Sequence, residues 1–134
     1  MNVVVLAAGK GKRMHSSLPK VLQALAGRPL LDHVLDATAG LADHPRVVVI
    51  GHAADIVRKH YEDRTDIVFA LQQEPLGTGH ALMQAIAAIN PEDPLTLVCL
   101  GDVPLLSPKT LMAMAEAGAD GSLVLLTVEL SDPT

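Results

Sequence analysis

At 134 residues, with 49% hydrophobic and 19% charged side chains, the chain is one domain's worth of sequence, able to bury a core. A net charge of −5, one Phe, one Tyr and no Trp argue against a nucleic-acid-binding module, because both a basic face and aromatic stacking platforms are lacking. No apolar run is long enough to span a bilayer and no targeting segment is visible, so a cytoplasmic protein without membrane insertion is expected.

The first element is a strand over residues 2–6. It runs into Leu6, Ala7, Ala8, Gly9, Lys10, Gly11, Lys12 and Arg13, with Lys20 shortly after. Small residues let a charged ligand approach the backbone, and the cluster of cations marks a local anion site in an otherwise acidic chain. Two familiar glycine loops fail here. A P-loop needs Ser or Thr after Gly11-Lys12, where Arg13 stands, and a dinucleotide fingerprint needs glycine at Met14. The acidic residue that would hold an NAD ribose is also absent, since the second strand, residues 46–50, ends in Gly51-His52.

Between these strands, residues 29–38 read as a helix. Leu30, Leu31, Val34 and Leu35 share one face, Asp32, His33 and Asp36 the other, and Gly40 suits the end. A shorter helix follows over 53–61, then a strand over 67–71. Residues 78–89 form a nearly all-apolar helix, expected to be well buried and stopped by Asn90-Pro91. The fourth strand covers 95–100. Ser107 caps a helix that opens on Pro108 and runs to about Ala117, and a fifth strand is expected over 122–128. Short Val/Ile/Leu runs alternating with helices are the signature of a βαβ series around a mostly parallel sheet.

In such a sheet, ligands collect beyond the carboxyl ends of the strands, where the winding reverses. A strand order of 3-2-1-4-5 brings the first loop against Gly101-Asp102-Val103-Pro104 after strand four. A single carboxylate, Asp102, facing cations suggests Mg²⁺ held beside a polyphosphate, as in phosphoryl or nucleotidyl transfer. After strand three comes the stretch from Leu71 to His80. There Gln72 offers donor and acceptor to a pyrimidine edge, Gly77 and Gly79 allow close approach, and Thr78 could cap the helix or bond a base carbonyl. Together these loops describe a nucleotide pocket.

These stretches resemble the amino-terminal domain of the GlmU family, bifunctional enzymes that make UDP-N-acetylglucosamine and belong to the sugar nucleotidyltransferases. The matching pieces, in order along the whole chain, are Leu6-Ala-Ala-Gly-Lys-Gly-x-Arg13-Met14, Leu18-Pro-Lys-Val-Leu22, Leu76-Gly-Thr-Gly-His80 and Gly101-Asp-Val-Pro-Leu105. The resemblance implies a three-layer, Rossmann-like α/β nucleotidyltransferase that transfers uridylyl from UTP to N-acetylglucosamine 1-phosphate and releases pyrophosphate. It implies that Leu6, Ala7, Ala8, Gly9, Gln72, Gly77 and Thr78 surround the uridine, with Gly101 beside them. Arg13 and Lys20 would hold the triphosphate as catalytic cations, and Asp102 would bind Mg²⁺.

Lys12 departs from the family, which usually has a small hydroxyl residue there. The family also continues past the equivalent of Thr134 into the amino-sugar contacts, an Asn metal ligand and a β-helix acetyltransferase domain through which the full-length enzymes form trimers. Residues 1–134 are therefore expected to be the nucleotide-binding part of the domain, ending after the fifth strand, and to lack full activity.

Plainer readings stand beside these. Gly9 and Gly11 could merely shape a turn, Asp102 could be a cap near Ser107, and His80 reads as a packing residue. Cys99, alone in an apolar run, reads as a small buried hydrophobe. Rival functions are transfer of another nucleotide by the same fold and an inactive nucleotide-binding module.

Overall fold

The computed structural model describes residues 1–11 and 17–132. In chain order the elements are β1 (Asn2–Leu6), a 3₁₀ turn (Lys20–Leu22), β2 (Ala24–Leu25), β3 (Arg28–Pro29), α1 (Leu30–Thr38), β4 (Arg46–Ile50) and α2 (Ala54–His60). They continue with β5 (Ile67–Leu71), α3 (Thr78–Ala85), a second 3₁₀ turn (Ile86–Ala88), β6 (Thr96–Leu100) and α4 (Pro108–Ala117).

The valine runs of β1 and β4 are β-branched and buried on both faces, as central strands of a parallel sheet must be. The main sheet runs β5-β4-β1-β6, every pair parallel, which is the expected order for the first four long strands. Alternation along β1 divides the core into two layers. Val3 and Val5 pack with Leu31, Leu35, Val57 and Leu111 of α1, α2 and α4. Val4, with Val47 and Val49, packs against Ala81 and Ala85 of α3 on the other face. The architecture is three-layer α/β.

Three expectations are corrected. Residues 122–128 form no strand. They run beside β6, but a cavity of about 490 Å³ lies between the two, lined by Leu95, Leu97, Cys99, Leu123 and Leu125 among others, so the backbones do not pair. The helix after residue 78 is not well buried: it ends as α-helix at Ala85, and Met83 and Ile86 are 63% and 61% exposed. Thr78 does not cap it. The cap position is Gly77, and no side chain bonds there.

The small β2–β3 hairpin was not anticipated. Its two-residue turn, Ala26-Gly27, has φ of +51° and +79°, the left-handed pair that lets two short strands twist correctly. Alanine rarely takes that conformation, so the usual Asn-Gly signal is absent.

Candidate nucleotide site

Hydrogen bonding continues one residue past the ends of β1, β5 and β6. Ala7 N donates to Val49 O at 2.8 Å, Gly101 N to Leu6 O at 2.9 Å and Gln72 N to Ile50 O at 2.8 Å. The loops after β1, β5 and β6 are thereby drawn to one edge of the sheet. Two glycines set how closely they pack. A Cβ on Gly101 would lie 3.2 Å from both Ala7 Cβ and Leu6 O, and one on Gly51 would lie 3.1 Å from both Ala8 Cβ and Gln72 O. The first loop is held between them, and an added carbon at either glycine would be closer to it than nearly all real side-chain contacts.

Above this edge opens a cleft of about 380 Å³. Leu6, Ala7, Ala8, Gly9 and Lys10 form its floor, while Gln72, Pro75, Gly77, Thr78 and Ala81 form one wall. Lys20, Val21, Leu100 and Asp102 form the opposite wall, where Lys20 Nζ donates to Asp102 Oδ2 in an ion pair. Gly11 has φ of +56°, and a Cβ there would lie 3.0 Å from Lys20 Cβ, so a side chain would be both strained and crowded. On the opposite wall Gln72 is buried, with Nε2 donating to Gly77 O at 3.1 Å and 3.0 Å from Nδ1 of His80. The cleft is thus polar and charged at one end, small and uncharged at the other.

Of the residues singled out in the sequence, Leu6, Ala7, Ala8, Gly9, Lys20, Gln72, Gly77, Thr78 and Asp102 converge on this one cleft. Gly101 lies behind it, against Ala7 and Leu6, and acts on the packing of the loop. Arg13 and Lys12 lie outside the described residues. Asp102 is not the cap near Ser107, because Ser107 caps α4 with its own hydroxyl, which accepts from Thr110 N at 3.1 Å. His80 is more than a packing residue, since it bonds Gln72. Val21 and Pro75, inside the quoted stretches, and Ala81 and Leu100, next to them, were given no role, and only the folded chain shows that they face the cleft.

Among the described residues no three His, Cys, Asp or Glu side chains cluster to hold a metal. A lone carboxylate at the cationic end of a cleft fits Mg²⁺, which takes one or two protein oxygens and completes its shell with water and phosphate. The second cavity, beside β6, is lined without a charged side chain and offers nothing to a phosphate.

Comparison with known proteins shows the family and the fold. Residues 3–132 match the model of the MobA-like NTP transferase domain. The chain is 54% identical over all 134 residues to the bifunctional protein GlmU of Burkholderia mallei (strain SAVP1), of which it spans 29% of the length. Among solved structures it is similar to a nucleotidyl transferase from Methanothermobacter thermautotroptrophicus, at TM-score 0.72 and 27% identity over 86% of this chain and 56% of that one. It is also similar to Rv0371c of Mycobacterium tuberculosis, solved as a complex with manganese, at TM-score 0.73 and 25% identity over 89% of this chain and 59% of that one. With the family match running almost end to end, and the fold shared with solved nucleotidyl transferases, this chain belongs to the MobA-like NTP transferase domain family.

Proposed function

We propose that the chain is the nucleotide-binding part of a uridylyltransferase, which transfers uridylyl from UTP to N-acetylglucosamine 1-phosphate and releases pyrophosphate. The observation that carries this reading is the single cleft with a small, uncharged wall at Gln72, Gly77 and Thr78 and a charged wall at Lys20 and Asp102. The identity to GlmU along the whole chain supports the choice of substrates.

In this reading Ala7, Ala8 and Gly9 leave the floor open for the nucleoside, while Gln72, Gly77 and Thr78 bound the base. Lys20, with Lys10 on the floor of the same cleft and Arg13 nearby in sequence, lowers the cost of bringing the triphosphate's charges together. For that, Lys20 turns from Asp102 to phosphate. Asp102 would then hold Mg²⁺, which when bound supplies charge neutralisation on the phosphates. Fixing the triphosphate lets the sugar phosphate oxygen approach the α-phosphorus in line. In this reading the protein is cytoplasmic, Mg²⁺-dependent and trimeric.

The test is thermal shift with UTP, CTP, GTP and ATP plus Mg²⁺. Selective stabilisation by UTP is expected. Equal response to all four nucleotides would refute the uridylyl reading.

A further inference from the structure

Gln72 stands on the cleft wall, 6% exposed, and its amide is held at two points. Nε2 donates to Gly77 O at 3.1 Å and lies 3.0 Å from His80 Nδ1. A carbonyl oxygen only accepts, so the contact with Gly77 fixes the NH₂ end of the amide on that side. The second N–H then meets Nδ1, which must accept. In a neutral imidazole this places the ring proton on Nε2. Gly77 O is already shared with Ala81 N at 3.0 Å, so it is a divided anchor, and His80 supplies the second. On the far side of the ring Gln84 Nε2 lies 3.2 Å from His80 Nε2; both carry protons in this tautomer and do not bond, and the Gln84 amide donates instead to His80 O at 3.3 Å.

Both N–H groups of Gln72 are thereby used inside the protein. Only Oε1 is left to meet a ligand, and among the described residues no donor reaches it. In the sequence a glutamine offers both donor and acceptor; in this fold it offers an acceptor.

We propose that His80 is a positioning residue for base selection. Its Nδ1 locks the Gln72 amide so that Oε1 faces the cleft, which favours a pyrimidine whose N3 carries a proton, as in uracil, and disfavours cytosine, whose N3 only accepts. Turning the amide over would set Oε1 against two lone-pair atoms, Gly77 O and His80 Nδ1. This rests on the reading that the cleft binds a nucleoside triphosphate.

Calorimetric affinities for UTP and CTP with Mg²⁺ are compared among the unsubstituted chain, His80→Leu and His80→Asn. The leucine removes the acceptor, whereas asparagine retains one near the place of Nδ1. The UTP-over-CTP ratio should fall about tenfold in His80→Leu and largely recover in His80→Asn. A packing role would predict no such rescue. An independent measurement needs no variant: long-range ¹H–¹⁵N NMR of the unsubstituted chain should find His80 protonated on Nε2. An unchanged ratio in His80→Leu, or a proton on Nδ1, overturns the proposal while leaving the nucleotide reading intact. Failure of the unsubstituted chain to bind either nucleotide overturns both.

Discussion

Replacing Asp102 with asparagine separates a metal-binding role from a structural one. The carboxylate pairs with Lys20, and the two side chains are 30% and 38% exposed, so solvent screens the pair. Such ion pairs contribute about 0.5 kcal/mol. For a chain of this size that corresponds to roughly 2 °C in melting temperature. Asparagine is nearly the same shape and can still accept from Lys20, so the fold should lose little. The effect on a metal is larger. Removing even an outer partner of a metal ligand typically costs 10–100-fold in affinity, so neutralising the ligand itself should weaken the Mg²⁺-dependent part of UTP binding by at least about tenfold. Calorimetry of UTP with and without Mg²⁺, alongside a melting curve for each variant, reads both quantities. If the melting point drops by much more than a few degrees while the Mg²⁺ enhancement survives, Asp102 is structural and the metal assignment is wrong.

Lys20→Ala and Arg13→Ala should weaken binding of the triphosphate far more than binding of uridine, since they remove charge-assisted contacts and leave the base wall alone; calorimetry showing equal losses would refute the assignment. Burial pushes the Cys99 thiol up to about 11, so it should react with a thiol reagent at neutral pH only when the chain is unfolded, and rapid labelling of the folded protein would contradict its place in the core. Asp66 is held down to about 2, chiefly by a hydrogen bond from Arg64 and then by the charges of Arg46 and Arg64. Burial lowers the pKa of Arg46, opposing the pull of Asp66, but a guanidinium keeps its proton in proteins, so the pair is ionised. The folded pKa of Asp66 lies below its ordinary 3.8. The stabilisation is therefore complete above about pH 4 and lost as the pH falls through about 2. The melting-point gap between the unsubstituted chain and Asp66→Asn should close over that interval; a gap constant from pH 6 to pH 2 would refute this. Asp66 is about half exposed, so the gap should correspond to less than about 1 kcal/mol.

The sequence by itself determined the elements whose cause is local. The triple-valine cores of β1 and β4 can only be buried strands, the Ser107-Pro108 pair starts α4, and small residues after an apolar strand mark where a ligand can reach the backbone. Strand order and the convergence of Gln72, Lys20 and Asp102 followed because parallel winding puts the carboxyl ends of neighbouring strands together. Other features depended on partners distant in sequence. Arg46 stands at the head of a strand, yet it is 3% exposed, because Leu35 O, Thr38 Oγ1 and Asp66 surround it. Residues 122–128 have the composition of a strand but face a cavity where a pairing edge would be needed, and strand pairing is a property of two backbones. Which atoms Gln72 offers to a ligand was likewise decided in three dimensions: the amide has no preferred polarity until Gly77 O and His80 Nδ1 take up its two N–H groups.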